Sequence, residues 1–380
     1  MELANESEAI GQSSSQSATD SEVLSCSSRL ANEDKDGGAS KDKKKRSTAG
    51  HIVYNPKKPK WWTRLGNNRR DATKSQKRAM RMILDGEGTP RDAESTPSSN
   101  PRSGLRLPPI PYGSKLDWDK ILPNSVNDKR DIWLELGFGR GENLQALLES
   151  KLWNENKPSH EMESSKFYLV GAEVSGVGIG CLCKRIQQLQ KSCDGEKIEI
   201  EDHYSLYRPE MDPYSSSDGT DNDVASGVKS LSIEERYELG KEYNNRLRIH
   251  TGDGYKLLPK IPDGSLSAIL VTFPDPFPKE SDVNYRLVQH QTLLECHRIL
   301  RKENGRLFLV TDHDGYHEWC HKVMHEVNGN KQEGTPLPPP LFKIQEPCPN
   351  RMEWLPAVSR YEQKGWDEGR STKLTCWLAM

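Results

Sequence analysis

Apolar residues beyond residue 131 occur in short runs that alternate with longer segments of helical spacing. Short apolar runs indicate buried strands, and the longer segments indicate amphipathic helices. The predicted strands are residues 132–136, 167–174, 247–250, 266–273, 306–310, 341–345 and 372–378. The predicted helices are residues 144–152, 179–189, 232–244, 286–300 and 316–327. This alternation predicts an α/β fold with a parallel, doubly wound sheet.

The stretch from residue 191 to residue 245 interrupts this alternation. Residues 194–229 are acidic and rich in Ser, Asp and Tyr, and residues 232–244 read as one charged helix. A long segment without strands inside a compact domain indicates an insertion. We expect the insertion at an edge of the sheet, with a mobile first half. It is predicted to dock a partner, to cover a surface, or to have no role.

The first 81 residues carry strongly segregated charge. Residues 1–40 contain eight acidic and two basic residues, whereas residues 41–81 contain fifteen Lys or Arg and two acidic residues. Such a basic stretch is typical of proteins that bind polyanions. The serine-rich composition of residues 1–50 predicts a disordered tail. Its cluster at residues 41–46 fits a nuclear import signal, although solvated tails often carry such clusters.

Residues 57–85 have a different pattern. Trp61 and Trp62 interleave with basic residues, and Thr73 is placed to cap a basic helix. The stretch 86–114, rich in Pro, Ser and Gly, predicts a linker. The predicted organisation is therefore a tail over residues 1–50, a basic segment with a linker over residues 51–114, and a globular domain over residues 115–380.

Composition disfavours several classes of protein. The sequence contains no run of about 18 apolar residues, so we expect no membrane span. The N-terminus lacks the pattern of a signal peptide. The eight cysteines show no paired zinc-binding spacing. Free thiols in an intracellular protein, without a metal site, are the simplest interpretation. The expected compartment is the nucleus, the cytoplasm or both, and an organelle stays open as an alternative.

A glycine-rich turn follows the first predicted strand. Gly137, Gly139 and Gly141 alternate in a G-x-G-x-G pattern directly before a predicted helix. Ligands of open α/β sheets bind beyond the carboxyl ends of strands, and glycines let the backbone approach them closely. The spacing differs from the G-x-G-x-x-G of dinucleotide sites. Glu135 would repel a pyrophosphate and suits a cationic cofactor; the alternative is a tight turn without a ligand.

Two acidic residues end the next strands. Glu173 follows the second strand, where a carboxylate can accept hydrogen bonds from ribose hydroxyls. Asp253 lies beside Gly254 after the third strand, where it could accept from an adenine amino group. The alternatives are a surface glutamate and an ordinary turn aspartate.

The fourth strand ends in Phe-Pro-Asp-Pro-Phe-Pro-Lys at residues 273–279. Prolines restrict the backbone on both sides of Asp275 and direct its carboxylate across the strand end. Methyltransferases that act on amines of bases often carry a related Asn/Asp-Pro-Pro-aromatic motif at this point.

The motifs together resemble the tRNA (guanine-N7-)-methyltransferase family, which makes 7-methylguanosine in the tRNA variable loop. That family carries Glu-(Leu/Ile)-Gly-x-Gly-x-Gly, Phe-Pro-Asp-Pro-Trp-Pro-Lys, a Thr-Asp after a strand, and Thr-x-Tyr/Phe-Glu. The matching stretches here are residues 135–141, 273–279, 311–312 and 359–362. The basic residues 64–80 also look like the N-terminal stretch of its bacterial members.

The resemblance implies a Rossmann-like class I methyltransferase with a mostly parallel, seven-stranded sheet, S-adenosyl-L-methionine as cofactor and tRNA as substrate. It implies that Asp275 is the central active-site acid. The implied cofactor contacts are Glu135, Gly137, Gly139, Gly141, Glu173, Asp253, Gly254, Thr272 and Glu362. The implied substrate contacts are Lys279, Asp312, Ser359, Arg360 and Tyr361. Guanine N7 already has a free lone pair, so we expect catalysis by positioning and electrostatics rather than by a general base.

The chain departs from the family pattern after Lys279. Family members have a His and several basic residues there, whereas this chain has Glu280 and Asp282, which leaves Lys279 and Arg286 to hold tRNA phosphates. The alternatives are a methyltransferase of the same fold that acts on another RNA or a small molecule, and a non-catalytic RNA-binding scaffold. Eukaryotic members work with a WD-repeat subunit and bacterial members act alone, and both arrangements, with the chain otherwise a monomer, stay open.

Overall fold

The computed structural model describes residues 71–86, 104–122, 130–155, 166–191, 204–214, 233–329 and 339–380. All of them belong to one compact unit, Tyr54–Met380. The predicted tail, the cluster at residues 41–46 and the tryptophans Trp61 and Trp62 lie outside the described residues. The predicted domain boundaries therefore stay predictions.

A seven-stranded sheet forms the centre of the described unit. Its strands are β1 (Arg130–Leu136), β2 (Lys166–Glu173), β3 (Leu247–Thr251), β4 (Ala268–Thr272), β5 (Arg306–Thr311), β6 (Phe342–Ile344) and β7 (Lys373–Ala379). They lie in the order β3-β2-β1-β4-β5-β7-β6. The first five strands are parallel, and β7 pairs antiparallel with both β5 and β6. The predicted mostly parallel, doubly wound sheet is confirmed.

Helices cover both faces of this sheet. They are α1 (Lys74–Asp85), α2 (Trp118–Ile121), α3 (Glu142–Glu155), α4 (Gly176–Lys191), α5 (Ile233–Arg246), α6 (Gly254–Leu257), α7 (His290–Ile299), α8 (Asp314–Val327) and α9 (Arg360–Asp367). Short 3-10 turns occupy Pro209–Met211, Leu258–Lys260, Glu280–Tyr285 and Arg351–Glu353.

The central strands are buried on both faces, which explains their continuous apolar sequences. In β1, Ile132 and Leu134 pack in one hydrophobic cluster, while Trp133 between them packs in the other. In β4, Ile269 and Leu270 divide between the two clusters in the same way. The alternation of side chains along a strand thus supplies both layers of the core.

Helix α1 has the N-terminal cap that the sequence predicts. The Thr73 side chain accepts a hydrogen bond from the Gln76 backbone N–H, and the Gln76 side chain accepts from the Thr73 N–H. This reciprocal arrangement satisfies two N–H groups that the first turn leaves without helical partners. The helix buries Ala79, Ile83 and Leu84 and packs against α4.

The prediction of a linker over residues 86–114 is wrong at its C-terminal end. Leu105 is fully buried, and its N–H donates to the Ile83 carbonyl. Arg106 forms a parallel bridge with Ile249 of β3. The segment therefore covers the outer edge of the sheet, where an unpaired strand would expose its backbone groups.

The predicted helix over residues 286–300 starts later than expected. Arg286 is extended, with φ −61° and ψ 140°, and α7 begins at His290. The Arg286 side chain donates from Nε to the Pro276 carbonyl at 2.9 Å and from Nη2 to the Phe277 carbonyl at 3.2 Å. These bonds hold the preceding segment away from helical geometry.

We expect the substitution Phe308→Ala to destabilise the unit by about 3–5 kcal/mol, because it opens a cavity between stacked rings. Phe308 is 2% exposed, with its ring centroid 4.3 Å from that of Trp354 and 6.0 Å from that of Trp133. Chemical denaturation measures the loss. Tyr112→Ala, at a side chain that is fully exposed, is the control and is expected to change stability by less than about 0.5 kcal/mol. Equal effects of the two substitutions would contradict this assignment of the core.

Candidate functional site

A cavity of about 470 Å³ opens at the carboxyl ends of the central strands. The loops that follow β1, β2, β3 and β4 form its wall, with one residue from α9. Residues predicted from sequence that line the cavity are Gly137, Gly139, Glu173, Asp253, Gly254, Thr272, Asp275 and Tyr361. The residues Glu135, Gly141, Lys279, Asp312, Ser359, Arg360 and Glu362 are not part of this lining.

The glycine loop after β1 requires glycine at each of its three positions. Gly137, Gly139 and Gly141 have φ angles of 75°, 59° and 78°, which side-chain-bearing residues adopt only with strain. The loop also contacts the start of α4 closely, since a Cβ on Gly178 would lie 2.1 Å from the Gly139 carbonyl oxygen. The approach of α4 to the loop therefore depends on the absence of a side chain at residue 178.

Glu173 organises the wall beside this loop. Its Oε2 accepts from the Gly139 N–H at 2.8 Å, and its Oε1 accepts from the N–H groups of Val174 and Ser175 at 2.8 and 2.6 Å. The side chain is 7% exposed and lines the cavity. These three bonds connect the end of β2 to the turn after β1. They are strong, because the acceptor is a charged carboxylate.

Glu135 lies behind the wall and is 1% exposed. Its Oε1 accepts from Thr272 Oγ1 at 3.0 Å and from Asn143 Nδ2 at 3.5 Å, whereas Oε2 has no hydrogen-bond partner among the described residues. Burial raises the pKa of Glu135 from 4.5 to about 7, because the buried carboxylate loses its hydration. Thr272, the last residue of β4, lines the cavity and joins the end of this strand to the buried carboxyl group.

Asp253 occupies the start of the short helix α6. Its Oδ1 accepts from the Tyr255 N–H at 3.0 Å, and the side chain is 7% exposed. Burial raises its pKa, and the hydrogen bond from Tyr255 lowers it by less. Burial lowers the pKa of the neighbouring His250.

The motif at residues 273–279 adopts a strained backbone. Phe273 and Phe277 have φ angles of 45° and 41°, and each precedes a proline. Non-glycine residues in this region cost about 1–3 kcal/mol each and persist where surrounding contacts hold them. The Phe273 N–H donates to the Val310 carbonyl at 2.8 Å, and Arg286 holds the carbonyl groups of Pro276 and Phe277. Asp275 is exposed at the cavity between the two strained residues.

Arg286 does not have the role that its sequence position predicts. It is 8% exposed, and its guanidinium carbon lies 4.8 Å from the ring centroid of Trp319. The expectation that Arg286 holds phosphates at the surface is therefore wrong, because its donors already bind the backbone of the motif. Of the two cations expected there, Lys279 is exposed.

The residues predicted around α9 separate into exposed and buried groups. Ser359 caps the helix by accepting from the Glu362 N–H, and Tyr361 is 61% exposed at the cavity. Glu362 is fully buried and accepts from Arg351 at 2.6 and 2.8 Å and from Thr372 Oγ1 at 2.9 Å. Both carboxylate oxygens of Glu362 already have partners inside the protein, unlike those of Glu135, and its direct contact with a cofactor stays a prediction.

Asp312 and Arg360, the remaining predicted substrate residues near α9, are not part of the cavity lining. Asp312 Oδ2 lies 2.8 Å from Arg370 Nε, in an ion pair that is partly exposed. Arg360 is exposed on α9. Neither residue reaches the cavity lining.

Sequence reasoning missed several residues of the lining. Val177 and Gly178 belong to α4, and Tyr285 and Leu287 follow the proline motif. Tyr255 also lines the cavity, and its hydroxyl contacts the carbonyl groups of Arg286 and Leu287 at 2.6 Å each. A glycine near the start of a helix that follows Glu173 could have pointed to Gly178 as a close contact of the cofactor loop. The aromatic residues Tyr255 and Tyr285 have no distinctive spacing in the sequence.

No metal site accompanies this cavity in the described part of the chain, where no group of three or more His, Cys, Asp or Glu is placed to hold an ion. The same residues contain no helix with the length and apolar character needed to cross a bilayer.

Comparison with known proteins yields methyltransferases. The family model Methyltransf_4, which describes a methyltransferase, matches residues 226–372. A Rhodospirillum rubrum protein named tRNA (guanine-N(7)-)-methyltransferase is 25% identical over 270 residues, which cover 71% of this chain and 75% of the relative. A Wolbachia pipientis protein of the same name is 35% identical over 204 residues, or 53% of this chain and 62% of the relative. The chain is similar to these methyltransferases over the matched regions.

This similarity agrees with the resemblance of the cavity-wall motifs to the tRNA (guanine-N7-)-methyltransferase family. The matched region is incomplete for several relatives, and covers 55% of the Paramagnetospirillum magneticum protein of that name. Among solved structures, a Thermotoga maritima O-methyltransferase is matched with a TM-score of 0.31 and 12% identity, over 67% of this chain and 60% of that protein.

The buried carboxyl group of Glu135 makes stability depend on pH. Its raised pKa means that the folded protein keeps a proton that the unfolded chain releases between pH 4.5 and about 7. The stability that Glu135 contributes is present below pH 4.5 and is lost as the pH rises through 7. We expect the free energy of unfolding to fall by roughly 3 kcal/mol over this interval relative to Glu135→Gln, as measured by urea denaturation. The exposed substitution Glu280→Gln is the control, and parallel pH curves for the native protein and Glu135→Gln would contradict the prediction.

Proposed function

We propose that the chain methylates N7 of a guanine in tRNA, with S-adenosyl-L-methionine as methyl donor, to give variable-loop 7-methylguanosine. The observation that carries the proposal is the cavity at the carboxyl ends of β1 and β4. It brings the glycine loop and Asp275 of the proline motif to the same wall. Relatives to which this chain is similar carry this activity in their names.

The residues beside the glycine loop fit this donor. Glu135 Oε2 and Asn143 Oδ1 are buried acceptors without a hydrogen-bond partner among the described residues. A carboxylate and an amide oxygen suit a cationic ammonium group such as the methionine end of S-adenosyl-L-methionine. Gly137, Gly139 and Glu173 would hold the middle of the molecule, with Asp253 placed toward the adenine. The bound donor supplies an electrophilic methyl group on its sulfonium.

Asp275 and Tyr361 are placed to hold the target base. Both line the cavity and are exposed, so a base flipped out of its RNA can reach them. The Asp275 carboxylate would accept from N1–H and N2–H of guanine, and the Tyr361 ring offers a face for stacking. A carboxylate at this edge also stabilises the positive charge that the purine gains at N7. No proton has to be removed before the attack, so these residues position and stabilise rather than act as a base.

Contacts to the tRNA backbone would come from exposed cations on the described surface. Lys279 follows the active-site motif, and α1 presents Lys74, Lys77, Arg78 and Arg81 as exposed residues. Phosphate contacts of this kind supply most of the affinity of a nucleic-acid complex and make it dependent on salt. The predicted substrate contacts at Asp312, Ser359 and Arg360 would lie at the rim, outside the cavity itself.

One observation favours a second candidate, a methyltransferase that acts on another RNA or on a small molecule. The turn after Lys279 carries the acidic residues Glu280 and Asp282, and Arg286 is buried in the backbone of the motif. The face next to the active site is therefore less basic than the tRNA reaction alone would favour.

A single assay separates the candidates. The purified protein is incubated with methyl-labelled S-adenosyl-L-methionine and unmodified tRNA, and the labelled nucleotide is mapped. Label at N7 of a variable-loop guanine supports the proposal, and label at another RNA position supports the second candidate. Cofactor binding without transfer would indicate an RNA-binding scaffold.

Two finer proposals concern assembly and location. We propose that the chain acts in the nucleus or cytoplasm, either as a monomer or with a WD-repeat subunit. Gel filtration of the chain with and without a candidate WD-repeat protein, followed by the same methylation assay, distinguishes the two states. Activity of the isolated chain equal to that of the mixture would exclude a required subunit.

Replacing Asp275 by asparagine is expected to lower kcat at least about hundredfold, because the amide keeps the shape of the side chain but loses the charge. Binding of S-adenosylhomocysteine, measured by calorimetry, is expected to stay within twofold. Glu280→Gln removes the same charge from an exposed position five residues away and is the matched control. Full turnover of Asp275→Asn would overturn the assigned role.

Arg286→Lys is expected to lower kcat about tenfold, because lysine keeps the charge but loses the planar group that holds the carbonyl groups of Pro276 and Phe277. The salt dependence of tRNA binding is expected to remain unchanged. Lys279→Gln is expected to do the reverse, and to reduce the slope of log affinity against log salt by about one. Equal salt slopes for Lys279→Gln and the native protein would argue against a phosphate contact at residue 279.

A further inference from the structure

The insertion over residues 191–245 contacts two elements that lead to separate parts of the candidate site. Its described residues are 204–214 and those of α5 from residue 233 onward. One contact reaches the segment that leads into α9, and the other reaches the helix behind the glycine loop. Tyr207 takes part in the first contact and Tyr204 in the second. The two tyrosines are 9% and 8% exposed.

The first contact supports the segment before α9. Residues Ser205–Leu206 pair antiparallel with Ala357–Val358, and the Tyr207 N–H donates to the Pro356 carbonyl at 2.8 Å. Ser359, which caps α9, follows this ladder directly. The insertion therefore fixes the backbone from which Tyr361 projects into the cavity.

The Tyr207 ring extends this contact to the buried carboxylate of α9. The guanidinium carbon of Arg351 lies 3.6 Å from the centroid of the ring. Arg351 in turn makes two bonds to Glu362 within the first turns of the helix. Stacking restricts the plane of the guanidinium, and that plane determines where the paired carboxylate lies.

The second contact leads to the glycine loop through a buried carboxylate on α3. Glu149 is 1% exposed, and it accepts hydrogen bonds from the hydroxyl groups of Tyr204 and Tyr243. Arg236 of α5 lies 3.2 Å from its Oε2. The insertion thus supplies three of the groups that stabilise this buried charge.

From Glu149 a chain of hydrogen bonds continues to the cavity. Gln145 Nε2 donates to Glu149 at 3.0 Å, and Gln145 Oε1 accepts from Arg185 Nε at 3.0 Å. Arg185 then donates from Nη2 to the carbonyl of Arg140, which belongs to the glycine loop and lines the cavity. Gln145 and Arg185 are 3% and 4% exposed, so water does not compete effectively for these bonds.

We propose that the insertion is a positioning element for both halves of the active site. Tyr204 orients the glycine loop through Glu149, Gln145 and Arg185, and Tyr207 orients α9 through Arg351 and Glu362. The inference rests on the proposed methyl transfer for the meaning of the two halves. It assigns a role to a segment that is additional to the motifs of the family.

The first test removes one hydroxyl group. Tyr204→Phe is expected to weaken binding of S-adenosylhomocysteine about fivefold, because Glu149 loses a buried donor and its chain of bonds rearranges. It is also expected to increase hydrogen exchange at the amides of residues 138–141 in the protein without ligand. Tyr112→Phe, at a fully exposed tyrosine, is the control.

Unchanged exchange at residues 138–141 in Tyr204→Phe would overturn the link to the glycine loop. Exchange needs no ligand and no RNA, so it reports on the inference even if the proposed reaction is wrong. Failure of the native protein to bind S-adenosylhomocysteine would instead contradict the proposed function.

A double-mutant cycle separates this route from a general loss of stability. Gln145→Leu breaks the chain of bonds between Glu149 and Arg185. In that background, Tyr204→Phe is expected to cause no further change in exchange at residues 138–141. Additive effects of the two substitutions would show that Tyr204 acts by another route.

The second test concerns Tyr207. Tyr207→Ala is expected to lower kcat for methylation about tenfold while the Kd for S-adenosylhomocysteine stays within twofold, and Tyr207→Phe is expected to restore kcat because it keeps the ring. Met211→Ala, in the same segment and 37% exposed, is the control. Equal losses in Tyr207→Phe and Tyr207→Ala, or no loss in either, would overturn the role of the stacked ring.

Discussion

The parallel pairing of β1 with β4 is the constraint on which the rest of the structure depends. Leu136 pairs with Val271 at the carboxyl ends of the two strands. The chain runs from β1 to β2 and β3 on one side and continues through β4 and β5 on the other. The loops after β1 and β4 therefore diverge and leave a crevice between them, as in other doubly wound sheets. Cofactor loop and proline motif meet at one cavity because of this topology.

The walls of this crevice are held in backbone conformations that cost free energy. Three glycines and two phenylalanines have positive φ angles within the two loops. Buried side chains compensate the strain: Glu173 accepts from the glycine loop, and Arg286 donates to the proline motif. Such compensation keeps the loops in one arrangement before any ligand binds, and preformed sites lose less entropy on binding. The rigidity of the site thus depends both on a residue of the cavity wall, Glu173, and on Arg286, which is not part of the lining.

Sequence patterns predict the sheet and most helices, since each strand is a short apolar run and each helix keeps its own period. They also indicate the cavity residues that follow strands directly, such as Gly137, Glu173 and Asp275. They fail where a long side chain has two possible environments. Arg286 and Glu362 look like surface ligands in sequence, but tertiary partners bury both. The pairing of Arg106 with β3 was equally hidden, because its partner lies more than 140 residues further along the chain.

The position of β7 imposes an order on the assembly of the sheet. β6 precedes β7 in sequence, yet β7 lies between β5 and β6 and pairs with both. The strand β6 can join the sheet only after β7 has paired with the edge of β5. During folding, β5 therefore presents an open edge of unpaired backbone groups while the segment that contains β6 is still loose. An exposed edge of this kind can pair with other chains. Aggregation during refolding is thus expected to start at β5, and conditions that speed the docking of β7 should suppress it.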